Sequence, residues 1–94
     1  MEFKARATAD GIVILKWKTA SEVDNAGFNI YRSRRNDGRY EQVNDAIISA
    51  KGGTSEASYR YAGTPGEGTF YYKLEDVDAN GASTMHGPVR VRVE

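Results

Sequence analysis

The amino-acid sequence predicts an all-β antiparallel sandwich, and three observations carry that prediction. Seven short segments alternate apolar and polar residues at period two, the pattern of strands with one face buried. Signals for turns separate them at intervals of about 8–12 residues. No apolar pattern of helical period runs beyond a single turn.

The first segment, EFKARATA, places Phe3, Ala5 and Ala7 on one face, and Asp10-Gly11 is a hairpin signal joining it to the second. That second segment, Gly11 to Thr19, carries Val13, Leu15 and Trp17 inward with Lys16 and Lys18 opposite, so Trp17 is expected to anchor the core. After the polar stretch TASEVDNAG, GFNIYRS alternates Phe28 and Ile30 with Asn29 as a third strand that stops at RRNDG. Tyr40 and Val43 mark a short fourth strand, and Ile47 and Ile48 are expected to tuck the following connection onto the core. SYRYA, with Tyr59 and Tyr61 on one face, is the fifth strand, and TFYYKLEDV is the sixth. Asn80-Gly81 is a second hairpin signal, and PVRVRVE closes the chain with Val89, Val91 and Val93 inward and Arg90 and Arg92 outward. The expected interior is Val13, Leu15, Trp17, Ile30, Tyr72, Leu74 and Val91.

A chain of 94 residues has room for one small domain, 1–94, and it reads as a piece excised from a longer protein. Thirteen Lys and Arg balance thirteen Asp and Glu, so no net field draws the chain to nucleic acid or an anionic membrane face. Arg32, Arg34, Arg35 and Arg39 cluster, but Asp37 interrupts them and no aromatic ladder accompanies them, which is the pattern of a solvated hairpin. The absence of cysteine excludes disulfides, thiolate metal sites and thiol nucleophiles. No run is long and apolar enough for a membrane span, so neither nucleic-acid binding nor membrane insertion is expected.

Together these segments resemble a fibronectin type III domain over nearly the whole chain. The stretches WKTASEVDNAGFNIYRS and FYYKLEDVDANG are similar to a bacterial variety found in large exported multidomain proteins. The resemblance implies a seven-stranded, immunoglobulin-like Greek-key sandwich, with the first, second and fifth strands in one sheet and the others in the second. It also implies a non-catalytic accessory or spacer module, outside the cell, on its surface or in the periplasm. Its partners would be neighbouring domains of the same polypeptide, or another protein or a glycan in a ligand-binding alternative. Two positions depart from the family pattern. Phe70 stands where a corner tyrosine is usual, so its backbone hydrogen bond is expected to be missing unless Tyr71 or Tyr72 supplies it. Strict alternation from Leu74 would bury Asp76, so a strand end, a bulge or a turn cap is expected there.

The chemistry-bearing motifs are sparse. Asp76-Val77-Asp78-Ala79-Asn80-Gly81 matches the first half of a calcium loop, which makes Asp76, Asp78 and Asn80 the candidate cation ligands. The twelfth position is Gly87 instead of Glu, so a plain Asn-Gly hairpin, with no metal and no other cofactor, is the expectation. His86 is the only histidine, and neither Ser83 nor Ser58 lies in a nucleophile motif. Glu22, Asp24, Glu75 and Asp76 lack the deep cleft that paired-carboxylate catalysis needs, so no catalytic residue is assigned. Outward rings at Tyr31, Tyr40 and Tyr71 are the candidates for stacking on a sugar.

Overall fold

A computed structural model describes residues 1–94. Its strands are β1 (Glu2–Ala7), β2 (Val13–Thr19), β3 (Asn25–Ser33), β4 (Glu41–Gln42), β5 (Ile48–Ser49), β6 (Ala57–Gly63), β7 (Gly68–Asp78) and β8 (Ser83–Val93). Two antiparallel sheets face each other: one orders β1-β2-β6, the other β4-β3-β7-β8, with β5 also paired to β3. The seven expected strands and their division between sheets are present, and β5 is an addition of two residues.

The extra strand has a local cause. β4 pairs with β3 only at Tyr31 and Arg32, and β5 only at Gly27 and Phe28, so the two are pieces laid along one edge of β3. Between them Asn44 replaces a backbone partner. Its Oδ1 accepts the Ile30 N–H at 2.8 Å, while its Nδ2 donates to Ala46 O at 2.9 Å and Asn29 Oδ1 at 3.0 Å. Such a buried side chain satisfies ladder groups that would otherwise be orphaned. A Cβ at Gly27 would collide with Ile48 O, so glycine is what lets β5 approach β3. Of the two isoleucines expected to cover the core, only Ile48 packs against it; Ile47 is 43% exposed and rests over Gly27.

The core fills from both sheets at the inward alternate positions. Val13, Leu15, Trp17, Phe28, Ile30, Phe70, Tyr72, Leu74, Val91 and Val93 are all buried, which includes the seven expected interior residues. Trp17 is its centre: it stacks on Tyr59 at 5.4 Å between centroids and meets Phe28 edge-on at 5.6 Å. Asp76 departs from its expectation. β7 neither ends nor bulges there, because Asp76 pairs with the fully buried Phe28 and the strand continues to Asp78. The carboxylate escapes deep burial by lying in the last inward row, where its side chain is 31% exposed and 3.9 Å from His86 Nε2. Register shifts lie on either side of Asp76: β7 and β8 slip between Tyr72 and Leu74, opposite Gly87-Pro88, and β3 slips against β7 between Asn25 and Gly27, opposite Val77 and Asp78.

Val93 lies beside Gly11 in the β1–β2 turn, at the far end of β1 from Met1, which stands near Asp24 and Asp78. The chain therefore enters at one end of a body 39 Å long and leaves at the other.

Trp17→Ala is expected to lower stability by about 3–5 kcal/mol, the usual effect of emptying a large buried aromatic site. A change below about 1 kcal/mol in urea unfolding would show that the ring does not support the core.

Candidate functional site

The chemistry-bearing side chains fall into three groups. On the outward face of the larger sheet, parity along β3 and β7 points Asn29, Tyr31, Tyr71, Lys73 and Glu75 to solvent. The structure brings the three candidate tyrosines together here. Tyr31 is opposite Lys73, Tyr71 is opposite Ser33, and the Lys73 ammonium lies 4.3 Å from the centre of the Tyr40 ring. Their polar ends are already engaged: Tyr40 donates to Asn36 O at 2.9 Å and Tyr31 to Glu75 Oε1 at 3.0 Å. Lys73 covers the ring face that a sugar would need at Tyr40.

Glu75 also accepts from Asn29 Nδ2 at 3.0 Å. That hydrogen bond, helped by Ser83 and Tyr31 and opposed by partial burial, holds its carboxyl below the usual range. Burial and then the Glu75 contact push the Tyr31 hydroxyl up. A carboxylate held ionised in this way is not a proton donor near neutrality, which removes Glu75 as a general acid.

Of the Asp76–Gly81 segment, Asp76 to Asp78 end β7 and Ala79 to Gly81 lie in the hairpin turn to β8. Asp78 Oδ1 accepts from the Asn80 N–H at 2.9 Å and the Ala82 N–H at 3.0 Å, so it braces the turn from within. Asn80 is exposed, and Asp76 faces between the sheets toward His86. No three His, Asp or Glu side chains converge as metal ligands. His86 likewise meets no serine: Ser83 bonds Glu75 on the outward face, and Ser58 belongs to the other sheet.

The third group is a buried network beneath the surface and was not anticipated as a unit. Glu22, 2% exposed on the β2–β3 connection, accepts a short hydrogen bond from the Tyr59 hydroxyl. That hydroxyl in turn accepts the Lys51 N–H at 2.8 Å, and the Glu22 N–H donates to Gly53 O at 2.9 Å. One tyrosine thus ties two loops to the floor of the core. Nearby, Tyr61 donates to Val43 O at 3.2 Å. The side-chain-to-backbone bonds expected of a tyrosine on the sixth segment are therefore made by two tyrosines of the fifth. Phe70 instead lies buried with the Arg34 guanidinium 4.6 Å above its ring. Glu22 gave no sequence signal, because a lone Glu in a polar stretch reads as exposed. A tyrosine at mid-strand facing it across the fold is visible only in three dimensions.

Burial and the Glu22 contact raise the Tyr59 hydroxyl to about 12 from 10.0. The folded state therefore holds this proton more tightly than the unfolded chain. Its contribution, about 3 kcal/mol at about 1.4 kcal/mol per pKa unit, is fully present below pH 10 and is lost as pH rises through about 12. Tyr59→Phe is expected to cost about 1–3 kcal/mol at pH 7, by leaving a buried carboxylate without its donor. It should also remove that share of the alkaline loss; identical pH 8–12 unfolding profiles for the two proteins would exclude the coupling.

The comparisons with known proteins bear on this architecture. No protein-family model matches the chain, and no curated protein matches it. Among solved structures, it is similar to the crystal structure of an Fn3-like protein from Clostridium thermocellum, with a TM-score of 0.69 and 22% sequence identity, over 97% of this chain and 86% of that one. At that identity the likeness is one of fold. The two antiparallel sheets, the Trp17-centred core and this likeness give the chain a fibronectin type III-like β-sandwich fold.

Proposed function

We propose that this domain is a non-catalytic accessory module that spaces neighbouring domains of an exported bacterial polypeptide, or presents a face to another protein. The fold suggests a module without catalysis. The observation that carries the spacer role is the placement of Met1 and Val93 at opposite ends of a 39 Å long axis. Domains joined through such termini extend in series instead of folding back. The inward positions are filled by the core, and the reactive side chains are divided among separate surfaces, as expected of a module whose role is positional.

Glycan binding on Tyr31, Tyr40 and Tyr71 is the second reading, favoured by their sharing one outward face. It requires Lys73 to swing off Tyr40 when a sugar stacks.

Two copies joined in tandem by a short linker are expected to scatter X-rays as an extended particle about twice as long as one domain, while each copy unfolds as the single domain does. A compact, side-by-side particle would defeat the spacer role. Neutral oligosaccharides that shift the amide resonances of Tyr31, Tyr40 and Tyr71 saturably would favour the second reading instead.

A further inference from the structure

The balanced total charge conceals a one-sided distribution. The outward face of the smaller sheet presents Glu2, Lys4 and Arg6 from β1, Lys16 and Lys18 from β2, and Ser58 and Arg60 from β6. Five of the thirteen cations and a single acid thus occupy one flat face. The register aligns them. Lys4 is opposite Lys16, and Lys16 is opposite Arg60, so three like charges stand in a row across three strands. Like charges directly opposite each other destabilise a sheet. No carboxylate lies within ion-pair distance of Lys16 or Arg60 to offset that repulsion; Glu2, which pairs with Lys4 at 3.5 Å and stands opposite Lys18, is the one acid on the face.

The face is also shaped. Small Ser58 leaves a hollow of about 540 Å³ bordered by Lys16, Lys18, Lys51 and Arg60. Lys51 is held at its rim, donating from Nζ to Ser58 O at 2.7 Å. Ile14, in the end row of the face between Arg6 and Ala62, is only 5% exposed beside the Lys4, Arg6 and Lys16 side chains.

We propose that this face binds a linear anionic polysaccharide carrying a carboxylate on each sugar. The charge row repeats at the strand spacing of about 4.8 Å, close to the length of one sugar residue, so successive carboxylates can meet successive cations. Each cation is exposed, and the repulsion of Lys16 with Lys4 and Arg60 on either side is what a bound polyanion would remove. Nucleic acid fits less well, because the two aromatic rings beneath this face, Trp17 and Tyr59, point into the core and offer no base a stacking surface. A lipid surface fits less well because Ile14 is covered and no apolar side chain is free to insert.

Titration of the isotope-labelled domain with polygalacturonate is expected to shift the amides of Lys16, Lys18, Ser58 and Arg60 saturably. The affinity should fall by about tenfold or more between about 50 and 200 mM salt. The exposed double variant Lys16→Ser/Arg60→Ser should keep its fold and lose at least about tenfold in affinity, whereas Arg90→Ser/Arg92→Ser on the other sheet should bind as the parent does. Absence of binding, unchanged affinity in the Lys16/Arg60 variant, or tighter binding of a single-stranded oligonucleotide or of phosphatidylglycerol vesicles would overturn the proposal.

Discussion

The Trp17–Tyr59 stack is the contact on which the rest of the molecule depends, because it joins an apolar function to a polar one in a single side chain. As a ring, Tyr59 lies nearly parallel to Trp17 and tilts against Phe28, so it ties the smaller sheet to the larger. As a hydroxyl, it donates to buried Glu22 and accepts from the backbone of Lys51. The β2–β3 and β5–β6 connections are thereby fastened to the same point. A chain of this size has a small core, and loops that carry few apolar side chains need polar anchors of this kind.

Polar anchoring recurs along the open edge of the larger sheet. Asn44 does for β3 what a continuous neighbouring strand would do, and it frees β4 and β5 to be only two residues each. Short, interrupted edge strands present few unpaired backbone groups, which limits unwanted strand addition. The same economy explains how Asp76 is tolerated in an inward position: the row it occupies is the last one, and His86 and solvent share it.

The parts of this architecture legible in the sequence are those set by alternation. Val13, Leu15 and Trp17 announce their face, and so do Phe28 and Ile30, because period two leaves a strand with one buried side little choice. The sheet partition followed from the resemblance of WKTASEVDNAGFNIYRS and FYYKLEDVDANG to a known domain. Features that depend on residues far apart in the chain were not legible. Glu22 and Tyr59 are 37 residues apart, and neither signals the other. Asn44 looks like any loop asparagine until its Oδ1 is seen on Ile30. Tyr31, Tyr40 and Tyr71 were expected outside, and they are, but the cover that Lys73 places on Tyr40 belongs to the register between strands. Charge was misleading for the same reason, since a count over the chain averages two faces that solvent experiences separately.

The positions of the two ends have a mechanical meaning. β1 and β8 run in the same direction, with Met1 at the start of one and Val93 at the finish of the other, so tension applied at the two ends would pull these strands along their own axes. The hydrogen bonds joining β1 to β2 and β8 to β7 are then loaded side by side in shear and must fail together, whereas a hairpin pulled from adjacent ends opens one bond at a time. Resistance to a sudden load would then depend on this geometry and not on thermodynamic stability alone, with the eleven-residue β8 sharing the tension along most of its length.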